Sequence, residues 1–148
     1  TPYFPASYPL ENIISVASID QSGHLLPSSN YGVTVHVAAP GSQILSSVPS
    51  SRFGRMSGTS QATAFVTGAA AIIMSQQKAK GDSDAVRVKE VLVKSGKNLD
   101  GNIKHQLVQG GVLSLSDAVK LQKDDVKRTT ALKQSLAVVP KKNSKNNQ

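Results

Sequence analysis

The stretch that most constrains the fold is Gly58-Thr59-Ser60-Gln61-Ala62-Thr63-Ala64-Phe65-Val66-Thr67-Gly68-Ala69-Ala70-Ala71-Ile72-Ile73-Met74. Small and apolar residues, with no charge until Lys78, read as a helix of about four turns that stops near Gln76. Because no side offers a polar face to water, the helix is expected to be buried all round.

Chemistry is expected at its start. The first N–H groups of a helix have no internal partner and carry the positive end of the macrodipole, so a hydroxyl there sits where developing negative charge is favoured. Gly58, lacking a Cβ, admits a close approach of backbone or substrate. A bare Gly-Thr-Ser is more commonly an N-cap, with Thr59 or Ser60 bonding its own helix, than a reactive site.

Size and charge exclude several classes. The chain has 148 residues, 39% of them apolar, enough for one domain with a moderate core. No run is long and apolar enough to span a bilayer. Without cysteine there is neither disulfide nor thiolate metal ligand, which leaves the compartment open. The net charge is +8, of which +5 falls in residues 123–148, so basicity is mainly a property of the tail. Aromatics make up 4% and do not interleave with the basic residues, so no stacking platform for nucleic acid is implied. A solvated terminus accounts for the charge run; contact with nucleic acid or an anionic membrane is the alternative.

Along the chain, residues 1–12 interleave Pro2, Pro5 and Pro9 with Tyr3, Phe4 and Tyr8 and read as an ordered loop. Residues 12–18 form a β-rich run expected to be a buried strand, ending in the turn composition Asp20-Gln21-Ser22-Gly23. Residues 33–38 alternate β-branched side chains up to Pro40-Gly41 and predict a second strand. Residues 44–48 and 52–56 are shorter strands that deliver the chain to Ser60. A second helix is expected from Ser83 or Asp84 to about Ser95, with Asp84 as cap, a stripe of Ala85, Val88, Val91 and Leu92, and Gly96 as stop. Residues 110–115 predict a turn and short strand, and Ser116 or Asp117 starts a last helix whose periodicity fades after Gln122. Two regions result: residues 1–122, and a basic tail, 123–148, expected to be disordered.

Ser57-Gly58-Thr59-Ser60-x-Ala62, followed by Val66 and Gly68, resembles the active-site serine segment of the subtilisin-like serine proteases. The resemblance extends through Asn12-Ile13-Ile14-Ser15-Val16-Ala17-Ser18, Ser29-Asn30-Tyr31-Gly32, Val37-Ala38-Ala39-Pro40-Gly41 and Gly111-Val112-Leu113, in the family's order and approximate spacing. It covers roughly residues 3–122. Two positions depart from the usual pattern: Ala64 stands where the family has proline, and Gln61 where many relatives have methionine.

The resemblance implies a three-layer α/β fold with a mainly parallel sheet, of which this chain holds the C-terminal portion. It also implies peptide-bond hydrolysis by an Asp/His/Ser triad, with Ser60 as nucleophile and its backbone N–H as one oxyanion donor. Met56, Ser57, Thr59 and Gln61 would border the substrate; Gln61 is read equally as a buried hydrogen-bonded residue. Asp20, then His24 or His36, then Ser60 reproduces the family's chain order. Their contexts oppose a triad, since Asp20 lies in a polar turn and His36 in an alternating strand, and the matching segments follow the catalytic Asp and His in the family. Those residues and the oxyanion Asn are therefore expected upstream of Thr1, on the missing N-terminal half of the catalytic domain. The chain alone should be inactive, and should expose apolar faces that this half would cover. His24, His36 and His105 are expected to be structural or solvated. Position 36 is often Asp in relatives, where it can join a weak cation site; with His36 no metal is expected, and no cofactor. Secretion or a cell-envelope location follows from the resemblance alone. The competing reading is a non-catalytic pseudoprotease or binding fragment that retains the fold.

Overall fold

The computed structural model describes residues 3–76, 82–97 and 110–137. Its elements are β1 (Val16–Ile19), β2 (Val37–Pro40), β3 (Ile44–Val48), β4 (Arg52–Met56), α1 (Thr59–Ser75), α2 (Asp82–Lys94) and α3 (Leu115–Ala137). His105 and residues 138–148 lie outside the described residues.

β1 and β2 pair in parallel, Val16 opposite Val37 through Ile19 opposite Pro40. Val112 extends this sheet, bridging Ala38 in parallel and Lys97 in antiparallel sense. Both faces are buried, as parallel sheets require. Val37 and Ala39 join the larger core cluster with Ala62, Val66, Ala69 and Ile73 of α1, Val88, Val91 and Leu92 of α2, and Ala118 of α3. Ala17, Ile19, Val35 and Ala38 form a second cluster with Leu25 and Val112. β3 and β4 form a separate antiparallel hairpin, whose turn holds Ser50 and Ser51 at φ 68° and 53°. The hairpin returns the chain to the N-terminus of α1.

Both strands of the parallel pair are offset from their predicted positions. Ordered pairing starts only at Val16, because Ser15 uses its carbonyl on the His36 and Val37 N–H groups and its own N–H on the His36 ring. Residues 33 and 34 form a turn instead, the Val35 N–H donating to the Gly32 carbonyl at 3.0 Å, and Val33 is 79% exposed. Pro40 closes β2 at a position where a missing N–H costs nothing.

α1 corrects the expectation of burial on all sides. Its buried residues, Ala62, Val66, Ala69 and Ile73, form one stripe facing β1, β2, α2 and α3. Phe65, Ile72 and Met74 are 44%, 41% and 51% exposed, because among the described residues nothing packs on that side. In α2 the buried stripe is Val88, Val91 and Leu92; Ala85 is exposed, and the helix starts at Asp82, which places Asp84 within its first turn.

α3 starts one residue earlier than expected, behind Ser114, whose Oγ donates to Asp117 Oδ2 at 2.6 Å. It then runs past Gln122 to Ala137, where disorder was expected. The segment is rich in helix formers and meets neither glycine nor proline before Pro140. Arg87 of α2 also grips Asp125. No described helix is long and apolar enough to cross a membrane.

Candidate active site

Gly58 is the N-cap of α1, with φ 156° and ψ 172°, a region essentially restricted to glycine. No side chain caps the helix, so the N-cap role weighed for Thr59 and Ser60 falls to the Gly58 backbone. Ser60, on the first turn, is exposed and its hydroxyl makes no hydrogen bond among the described residues. Its N–H belongs to the first-turn set without an intrahelical acceptor, so hydroxyl and N–H are both open to a ligand. The dipole adds partial positive charge there, and no acidic side chain in the first turn offsets it.

The sequence-selected neighbours are held around it. Ser57 Oγ accepts the Gln43 N–H at 2.9 Å, and Arg55 Nη1 donates to the Gln43 carbonyl at 2.8 Å. Gln43 makes this clamp from a left-handed conformation, φ 54°. Thr59 gives its carbonyl to the Thr63 hydroxyl at 2.8 Å. Gln61 is half-buried and lies over Gly58, its Oε1 3.1 Å from where a Cβ would stand. Met56, Ser60 and Gln61 line one wall of an open groove of about 550 Å³, continued by Ile44, Phe65 and Ile72. Gln43 and Arg55 were missed in the sequence, since neither lies in a local motif.

The three residues that mimic a triad in chain order are engaged elsewhere. Asp20 Oδ1 accepts the Ser22 and His24 N–H groups, both at 2.9 Å, and Oδ2 is 3.7 Å from His24 Nδ1. The backbone bond from His24 is the main reason that the Asp20 carboxyl lies below its ordinary pKa. His36 Nδ1 accepts the Ser15 N–H at 2.9 Å, which places the proton of the neutral ring on Nε2. Burial, and then the nearby Lys89 charge, lower the His36 pKa. Among the described residues, then, no base contacts Ser60, and no group of three or more potential ligands could hold a metal.

An unblocked hydroxyl and N–H at the start of a core helix, behind a glycine-only conformation, are groups that a nucleophile with its oxyanion donor would require. The sequence profile of the subtilase family matches residues 1–112, and the chain belongs to that family. It is 48% identical over 75 residues to thermitase of Thermoactinomyces vulgaris, covering 51% of this chain and 26% of that protein. Over 107 residues it is 33% identical to an extracellular basic protease of Dichelobacter nodosus, covering 67% and 18%. The structure of the patellamide maturation protease PatA superposes with a TM-score of 0.69 at 35% identity, over 81% of this chain and 46% of that one. Fervidolysin of Fervidobacterium pennivorans, at 23% identity and a TM-score of 0.67, shares the fold. The architecture is thus subtilisin-like α/β, and the chain spans less than half the length of these relatives.

Proposed function

We propose that this chain is the C-terminal, nucleophile-bearing part of a serine endopeptidase. Ser60 Oγ attacks the scissile carbonyl carbon, a histidine takes its proton, and the Ser60 N–H receives the oxyanion. Collapse of the tetrahedral species expels the amine, protonated by the same histidine, and leaves an acyl-enzyme that water then hydrolyses. The catalytic Asp, His and oxyanion Asn come from an N-terminal half of the catalytic domain beyond this sequence. Met56, Ser57, Thr59 and Gln61 border the substrate, a peptide or protein. The full protein is secreted or attached to the cell envelope.

The observation that carries this reading is the exposed Ser60 hydroxyl at an N-terminus whose cap is glycine backbone alone. The absence of a base at Ser60 among the described residues supports inactivity of the chain by itself. The exposed face of α1, with Phe65 and Ile72 along the groove, supports a covering partner element. The test joins the chain to an upstream subtilase half and adds a serine-directed fluorophosphonate. Labelling at Ser60, lost in Ser60→Ala and absent from the chain alone, is the expected result. A folded, completed protein that takes up no label would instead make this a non-catalytic binding fragment.

A further inference from the structure

Behind the nucleophile lies a buried hydroxyl that the scheme above does not use. Ser18 of β1 is fully buried, and its Oγ has no hydrogen-bond partner among the described residues. Such a group costs stability for as long as it lacks a hydrogen bond, because burial removes water without supplying a substitute. The backbone around it is fixed: the Ser18 N–H donates to Ser29 Oγ, and its carbonyl accepts the Leu26 N–H, both at 2.9 Å. The side chain is therefore held against Gly41, and a Cβ at Gly41 would overlap both Ser18 Oγ and the Gly58 carbonyl oxygen. Three groups thus converge on one point, and only glycine fits there.

This point is linked to the catalytic turn by a relay of backbone bonds. The Gly41 N–H donates to the Ile19 carbonyl at 3.0 Å, and the Gly58 N–H to the Gly41 carbonyl at 2.8 Å. The Gly58 carbonyl accepts only a long bond, 3.3 Å, from the Ala62 N–H, which leaves it with acceptor capacity facing Ser18.

Resting on Ser60 as the nucleophile, we propose that Ser18 is a positioning residue for the oxyanion donor: its hydroxyl donates to the Gly58 carbonyl and fixes the peptide that precedes Thr59 and Ser60. Both atoms abut the same point at Gly41, and the bond requires the hydroxyl to turn from its present position, where it has no partner, towards the carbonyl. The Ser60 N–H then keeps one orientation as charge develops in front of it, which is when a donor's aim matters.

The deciding experiment is amide hydrogen exchange on the chain, comparing the native protein with Ser18→Ala and with Ser18→Thr, which retains the hydroxyl. Ser18→Ala should speed exchange at Gly58 and Ala62 about three- to tenfold, the factor that one net hydrogen bond carries, with Ala17 and Ala38 unchanged. Ser18→Thr should restore native exchange. No change at Gly58 and Ala62, or a uniform rise that includes Ala17 and Ala38, would overturn the proposal. In the protein completed with an upstream half, Ser18→Ala should lower kcat by a similar factor and leave KM unchanged. If that completed protein is inactive with Ser18 intact, the assignment of Ser60 fails, and the exchange comparison still decides the role of Ser18.

Discussion

Replacing Gly58 by alanine tests whether the turn before Ser60 depends on backbone conformation, since four effects of that change can be weighed. Alanine restricts the unfolded chain and on that ground alone would stabilise by about 0.4–1 kcal/mol. Against this, φ 156° and ψ 172° lie where a residue with a Cβ is strained by about 1–3 kcal/mol. Alanine is also a poorer N-cap than glycine. The new methyl would meet Gln61 Oε1 at 3.1 Å, a small addition because that side chain can turn aside. Strain wins, and the net loss is about 1–2 kcal/mol. With a urea m-value of about 1–3 kcal/mol/M, the unfolding midpoint should fall by roughly 0.5–1 M at unchanged m. The same variant in the completed protein should label more slowly at Ser60, because relief of strain tips the first turn. A midpoint equal to or above the native one would refute the reasoning, since it would mean that the turn accepts an ordinary conformation.

Gly68→Ala should act oppositely, because the site is helical and nothing lies within 4 Å of the added Cβ; a gain of roughly 0.5–1 kcal/mol is expected in urea unfolding. Ile73 and Ile72 are adjacent in α1, but Ile73 is fully buried and Ile72 is 41% exposed, so Ile73→Ala should cost about 2–5 kcal/mol and Ile72→Ala less than about 1, as read from paired denaturation curves. The lowered pKa of His36 has a defined sign: the unfolded chain takes the proton first, so stability is full above the ordinary histidine range near about 6.5 and falls as pH drops from there towards the folded value. Asp20 and Asp117, both lowered, act only at more acidic pH, about 4 and below. His36→Asn keeps an acceptor for the Ser15 N–H but cannot titrate, and should flatten the fall of the midpoint as pH drops below the ordinary histidine range.

The elements that were legible in the sequence are those whose partners lie close in the chain or whose pattern needs no partner. β3 and β4 were placed by composition and turn, and α1 by its uninterrupted run of helix-compatible residues. Where a partner decides, the pattern misled. Residues 33–36 alternate in sequence like a strand, but residues 33 and 34 turn, with the Val35 N–H held by the Gly32 carbonyl, and the ladder starts only at Val37. The lack of a polar face on α1 was a true reading of composition, but burial depends on what is packed there, and the described elements cover only the Ala62, Val66, Ala69 and Ile73 stripe. In α3 charge was taken for disorder. The charged residues lie on a continuous helix tied to α2 through Arg87 and Asp125, and a high charge content opposes helix formation far less than glycine or proline would.

The site divides in the same way. Ser60 was legible because hydroxyl, glycine and helix start are consecutive, so the candidate site is written in one local string. What holds the string is not local. Gln43 reaches Ser57 from beyond the hairpin, and Ser18 and Gly58 both abut Gly41, placements set by which segments the fold brings side by side. Gly41 gave a sequence signal only as the second residue of Pro40-Gly41, where it was read as a turn. Its constraint is steric and comes from two other segments at once. That difference explains why a histidine and an aspartate in the right chain order failed to form a triad: order along the chain is preserved by any fold, whereas Asp20 and His36 are held by the local backbone groups of His24 and Ser15. Among the described residues, then, chain order brings no base to Ser60, and on the proposed function the base would come from an element packed beside the start of α1.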